Sequence, residues 1–314
     1  MKVVALMPVK NDAWILRTTI PQLKIFVDDI LCLDGFSEDN TLEVLKEFNV
    51  KVKTQSGKET NYSKWRNELL DWGRNEGGTH FVWLDADEAF TSNFLPIFKD
   101  TLEKMKPGEK LAMNWLCLWK DYRVYRNDNS IWSNLYKDFI FCDDDKSSFG
   151  NTLLHEGRTP NSEIKEWTKL PLEKGSVLHF QFVPFKKFQI KQAFQRCREY
   201  VAKTGSVRRI NNKYSETLDK DDVKLKDIPK EWLSGIIVPK EILTMDDIYY
   251  KKSIMNFFKE YGVKYFEPLE IWHLDELKKI FIEKLSREPK IKKYPKILIE
   301  INKIKNKVKN ICNS

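Results

Sequence analysis

Asp85 and Asp87 stand one residue apart, directly behind Phe81-Val82-Trp83-Leu84, the most apolar segment of the N-terminal half. Alternate residues at a strand end point the same way, so both carboxylates can face one ion or its waters. Hard divalent cations want carboxylate oxygens, and such a cation neutralises a leaving group that carries phosphate charge. An Asp-x-Asp is common in surface turns; its place behind so apolar a run sets this one apart. Further downstream, His155 in FGNTLLHEGR and His179 in GSVLHFQF each end a short apolar run, where side chains enter clefts. Neither a Ser/His/Asp nor a Cys/His arrangement points to a covalent nucleophile, and no Gly-rich phosphate loop is present.

These groups need strand ends to hold them, and the first hundred residues supply the pattern. Lys2–Met7, Asp29–Leu33 and Thr79–Leu84 are short apolar runs that suit buried strands. Between them lie helix patterns with Trp14, Ile15 and Ile20, with Leu42, Val44, Leu45 and Phe48, and over Tyr62–Arg74. Ser37 or Asp39 is expected to cap the second of these helices. Val50–Thr54 alternates like a strand, Phe94–Lys104 reads as a helix, and Lys110–Trp119 is a further strand. Strands separated by helices imply crossover units and a mainly parallel sheet, which binds ligands at the carboxyl ends of its strands. Beyond Gln189 the pattern turns helical, with helices expected over Asp246–Tyr261 and Leu274–Leu285 and a charged junction over 213–230.

Taken in order, MPVKND, LDGFSEDNT, WRNELL and FVWLDADEAF resemble the family-two glycosyltransferases of the GT-A fold. The resemblance covers roughly residues 1–200. It implies an α/β GT-A domain over 1–205, a helical C-terminal region over 206–314, and transfer of a sugar from a nucleotide diphosphate with inversion. Carried over position by position, Pro8 and Val9 would lie near the nucleotide base, Asp34 would accept a hydrogen bond from it, and Arg66 would lie near base or diphosphate. Asp85 would contact donor and metal, and Asp87 would hold Mn2+ or Mg2+ more directly. The usual Asp-Asp-Gly-Ser is Asp34-Gly35-Phe36-Ser37 here, so the second acidic position is lost. A branch of the same family is similar to the later pair, FIFCDDDKSSFGNTLLHEG and LHFQFVPFKKFQIKQAFQRCREY. That likeness implies His179 as third metal ligand and Glu156 as general base, with His155 orienting it or touching the donor. Glu88 is read as exposed, Lys187 and Lys191 as a solvated helix face, and His80 and His273 as structural.

Composition narrows the classes. With 41% hydrophobic and 13% aromatic residues in 314, a sizeable core is expected. Residues 286–314 hold nine Lys or Arg against two Asp or Glu, so this tail carries seven of the eight net positive charges. The remainder is nearly neutral, which disfavours a nucleic-acid groove without excluding a hydroxylated nucleic-acid base as acceptor. Ile297, Ile301, Ile304, Val308 and Ile311 form an apolar seam with lysines around it. Three readings of this tail stand: packing on the body or a second subunit, lying on an anionic membrane surface, or touching nucleic acid. Five scattered cysteines, with no CxxC, fit idle thiols in a reducing compartment. With no signal-like or spanning segment in view, the expected location is the cytoplasm, with the inner membrane face as a docking surface. The acceptor, whether glycan, lipid-linked glycan or protein, is not readable. Two rivals keep the fold: a nucleotidyltransferase, whose Gly-rich loop is missing from MPVKND, and a non-catalytic binding protein.

Overall fold

The computed structural model describes residues 1–57, 61–128, 130, 132–133, 135–150, 157–164, 167–215 and 223–290. The chain forms two compact units. The first takes 1–184 and 223–244, and the second takes the rest. The first unit therefore ends at Pro184 and includes a later insert, where the sequence suggested a single boundary at 205.

The first unit runs β1 (Val3–Val9), α1 (Ala13–Lys24), β2 (Asp29–Asp34), α2 (Thr41–Glu47), β3 (Lys51–Thr54), α3 (Tyr62–Asn75), β4 (His80–Trp83) and β5 (Glu88–Phe90). It continues through α4 (Leu95–Glu103), β6 (Lys110–Cys117), β7 (Val124–Arg126), β8 (Leu135–Cys142), β9 (Trp167–Lys169) and β10 (Ser176–His179). The main sheet is ordered β3-β2-β1-β4-β8-β6-β10-β5, with β9 also on β6. Strands β1 to β4 pair parallel, as do β6 with β9 and β10. Strand β8 lies antiparallel between β4 and β6, and β5 antiparallel to β10. The mostly parallel α/β expectation holds; β8 and the three-residue β5 are what it lacked.

Strands β1, β2 and β4 are buried along nearly their whole length, which explains their continuous apolar runs. On one face Leu6, Leu31, Leu33, Phe81 and Trp83 pack with Leu69, Leu70 and Trp72 of α3. Elsewhere Phe26, Phe90, Phe94 and Phe98 stack edge to face, with Phe26 and Phe98 centroids 5.1 Å apart at 80°. Because β1 has β2 on one side and β4 on the other, the chain reverses its winding direction there. The carboxyl ends of these strands therefore open a crevice.

The second unit is helical in its described part: α5 (Phe185–Val201), α6 (Val207–Lys213), α7 (Ile248–Tyr261) and α8 (Asp275–Leu285). Its core gathers Ile190, Ala193, Cys197, Ile254, Phe258, Phe266, Trp272 and Phe281. A short antiparallel pair, β7 with β11 (Leu225–Asp227), belongs to the first unit. Among the described residues no helix is long and apolar enough to cross a membrane. The basic seam of the tail lies outside the described residues.

Two consequences are measurable. Gly73 of α3 lies so close to the Phe81 ring that an added Cβ would overlap it, and Leu6 stands beside. Overpacking outweighs alanine's helix advantage there, so Gly73→Ala should lower stability by about 1–2 kcal/mol in denaturant unfolding. In the second unit, burial, with Arg196 adding repulsion, lowers the His273 imidazole to about 4. The unfolded chain takes up this proton first, near pH 6.5. Stability from this group is thus complete above that pH and is lost as pH falls through 4, by about 3 kcal/mol. Thermal melts between pH 7 and 4 should be flatter by that amount in His273→Gln.

Candidate active site

The crevice begins where β1 meets β2. Val9 and Asp34 are register partners, and Asp34 is only 2% exposed. The Ser37 N–H donates to both Asp34 carboxylate oxygens at 3.2 and 3.1 Å, and the Gly35 N–H donates to the Val9 carbonyl at 2.8 Å. The two loops are laced together: the Asn11 N–H donates to Ser37 Oγ, and Asn11 Oδ1 accepts from the Glu38 N–H. Asn11 and Phe36 both hold positive φ, at 57° and 61°, to make these tight turns. Asp39 Oδ1 takes the Thr41 N–H at the start of α2, although the residue in the capping position is Asn40. Asp34 keeps lone pairs for a donor such as a base N–H.

Helix α3 delivers Arg66 to this side. Its guanidinium lies over the Trp83 ring at 4.5 Å and the Phe149 ring at 5.6 Å, a planar cation stacked on aromatic faces. Asn67 beside it pins the Phe149 backbone from both directions, accepting its N–H at 2.8 Å and donating to its carbonyl at 3.2 Å.

The Asp-x-Asp turn joins β4 to β5. Helix α1 holds it from behind: the buried Thr19 hydroxyl donates to the Ala86 carbonyl between the two aspartates, and Gln22 Nε2 donates to the Phe90 carbonyl. Strand β10 closes the other side. His179 pairs with Glu88 of β5 and with Cys117 of β6, and the Phe180 N–H donates to the Asp87 carbonyl at 2.9 Å. This register brings His179 Nε2 to 3.6 Å from Asp87 Oδ2. Trp115 stacks on the imidazole, with ring centroids 4.2 Å apart at 22°. Burial works against the charged ring, but Asp87, aided by Cys117, outweighs it and raises His179 to about 10.

Asp85 goes elsewhere. Arg158 Nη2 donates to Asp85 Oδ2 at 2.9 Å, while its two terminal nitrogens grip Glu88 at 2.7 Å each. The expected trio of Asp85, Asp87 and His179 is therefore divided: the structure brings Asp87 and His179 together and gives Asp85 to Arg158. Among the described residues no group of three or more His, Cys, Asp or Glu side chains is placed to hold a metal ion.

Glu88 corrects a second expectation. Instead of being exposed it is 0% exposed, because β5 starts with it and turns it inward. There it also accepts from Trp115 Nε1 at 2.6 Å and the Asp85 N–H at 2.8 Å. Burial raises its pKa against the pull of Arg158, whose guanidinium the two carboxylates keep charged. Lys137 stands 4.6 Å over the Trp115 ring, and burial lowers its pKa, with Arg158 pushing the same way. Lys187 is not a solvated charge either. In the second unit it pairs at 2.7 Å with Asp247, the capping residue of α7. His80 is structural, buried with Nδ1 3.1 Å from Thr79 Oγ1. His155 and Glu156, the expected base pair, lie outside the described residues. Arg158 and Trp115 were not singled out from sequence, and nothing local marks an arginine that pairs with a carboxylate 70 positions earlier.

Residues 5–146 match the family model described as glycosyl transferase family 2. This segment, just under half of the chain, is similar to that family. The match takes in Val9, Asp34, Arg66, Asp85 and Asp87 and stops before Arg158 and His179. No curated protein matches the sequence. Among solved structures, S. aureus TarS aligns over 90% of this chain and 53% of its own, at 13% identity and a TM-score of 0.39. TarS 1–349 in complex with UDP aligns over 48% and 50%, at 16% identity and 0.36. Glucosyl-3-phosphoglycerate synthase from Mycobacterium tuberculosis, in complex with Mn2+ and UDP-glucose, aligns over 37% and 44%, at 19% identity and 0.26. The chain thus spans about half the length of the first two TarS chains it matches.

The Glu88–Arg158 pair carries a stability cost if broken on one side. Glu88→Ala strands a buried guanidinium and should destabilise by about 3–5 kcal/mol, and Glu88→Ala with Arg158→Met should recover most of that in urea unfolding.

Proposed function

We propose that this chain transfers a sugar from a nucleoside diphosphate sugar to an acceptor hydroxyl, assisted by Mn2+ or Mg2+ at Asp87 and His179. The observation that carries this reading is the 3.6 Å approach of Asp87 Oδ2 to His179 Nε2 at the open end of the family 2 sheet. A carboxylate and an imidazole are a fitting donor set for such an ion, with water and donor phosphate oxygens to complete it. When bound, the ion supplies charge neutralisation for the departing diphosphate.

The chain's own residues do the rest. Pro8 and Val9 line the base side of the crevice, and Asp34, steadied by the Ser37 N–H, accepts from the base. Arg66, stacked on Trp83, adds a fixed positive charge toward base or diphosphate. Asp85 stands on the donor side in contact with Arg158. The acceptor oxygen attacks the anomeric carbon as the carbon–phosphate oxygen bond breaks, and the diphosphate leaves with the bonding electrons. Glu156, oriented by His155, takes the acceptor proton, and a single displacement inverts the anomeric centre. The acceptor is a hydroxyl on a glycan, a lipid-linked glycan or a protein, and the basic tail fits docking on a second subunit or an anionic membrane surface.

A panel of nucleotide sugars with Mn2+ or Mg2+, read as released nucleoside diphosphate, tests this. At least one donor should be consumed, and Asp87→Ala and His179→Ala should each cut kcat on the order of 10²-fold. Turnover that survives both substitutions, or no donor consumed at all, would sink the reading.

A further inference from the structure

Arg158 stands between two carboxylates that differ sharply in environment. Its side chain is 12% exposed, Glu88 is sealed at 0%, and Asp85 is open to solvent at 41%. The grip on Glu88 is bidentate, both contacts at 2.7 Å, with the cation braced further over the Phe139 ring at 4.9 Å. That brace fixes where the guanidinium sits. The remaining contact, to Asp85 at 2.9 Å, therefore fixes where the Asp85 carboxylate rests. Asp85 shares its turn with Asp87, the residue that faces His179.

We infer that Arg158 is a positioning residue that competes with the divalent cation for Asp85. While the guanidinium holds Asp85, the described residues offer an ion Asp87 and His179, a sparse set for a cation that wants six oxygens or nitrogens. The ion is then bound weakly by the protein alone and tightly together with a diphosphate that supplies the missing oxygens. Metal and donor enter as one unit, and an ion without its nucleotide is not retained. The fixed guanidinium also repels a divalent ion directly, which works in the same direction.

The inference rests on the proposed metal at Asp87 and His179, and Mn2+ binding measured by electron paramagnetic resonance of the free ion separates the two. Arg158→Met would strand Glu88, so it is paired with Glu88→Gln, and melting curves verify the fold. Without nucleotide, this double variant should bind Mn2+ at least about tenfold tighter than wild type. Adding Asp85→Asn should cancel the gain, and Arg158→Lys, which keeps a cation, should stay close to wild type. A folded double variant that binds Mn2+ no tighter than wild type overturns the inference, as does a gain that persists with Asp85→Asn. Should Asp87→Ala leave Mn2+ binding intact, the metal reading itself fails. Binding that needs Asp87 but ignores Arg158 removes only the competition.

Discussion

The hydrogen bond from the Phe180 N–H to the Asp87 carbonyl ties the end of β10 to the turn after β4. Everything in the candidate site depends on that register. Side chains alternate faces along a strand, so a one-residue slip of β10 would turn His179 away and present Leu178 or Phe180 instead. Two strands enforce the alignment at once: β5 fixes His179 opposite Glu88, and β6 fixes it opposite Cys117 and lays Trp115 flat on the ring. Thr19 of α1 holds the other side of the turn through the Ala86 carbonyl, and Gln22 holds the far end of β5 through the Phe90 carbonyl. The burial of Thr19 and Gln22 on this helix face is thereby explained, because buried backbone oxygens need donors.

Charge placement follows from the same frame. Three carboxylates, Asp85, Asp87 and Glu88, lie within four residues and would repel one another in an apolar setting. Each is met by a side chain from a distant part of the chain: Glu88 and Asp85 by the Arg158 guanidinium, and Asp87 by the His179 imidazole. Arginine suits the first role because its fork satisfies two oxygens of one carboxylate and still reaches a third on another. Glu88 has no solvent at all, so its full set of partners is Arg158, the Trp115 indole and the Asp85 N–H. This buried pair is better regarded as a device that fixes geometry than as a source of stability, since ion pairs of this kind gain little over a well-packed apolar isostere.

Much of this was legible in the sequence, and the parts that were not share a cause. Strands β1, β2 and β4 announce themselves because both faces are buried, which leaves unbroken apolar runs ended by Pro8, Asp34 and Asp85. Asp87 and His179 were identified as candidates from their position at such run ends, and the structure sets them side by side. Strand β5 is three residues long and carries a glutamate inward, so no periodicity reveals it. Its neglect made Glu88 look exposed. Arg158 and Trp115 reach their partners across 70 and 27 positions, and no local pattern encodes a pairing of that span. The return of 223–244 to the first unit is hidden for a related reason: it is made through β11 pairing with β7, a contact across a hundred residues.

The electrostatics of the cluster also bear on what can enter it. Arg158, with Lys137 over Trp115 nearby, offsets much of the charge of the three carboxylates before any ligand arrives. A bare divalent ion would unbalance a partly buried site, and so would a bare diphosphate, each at a desolvation cost that falls steeply once charges are paired. The two together carry little net charge and disturb the balance least. Under the proposed function, such a site favours the ion–diphosphate pair over either component, through arginine placement that precedes any contact with the sugar. On that reading, selectivity for the leaving group resides in the β4–β5 turn with its guanidinium partner and is separable from selectivity for the sugar, which the crevice beyond it would set.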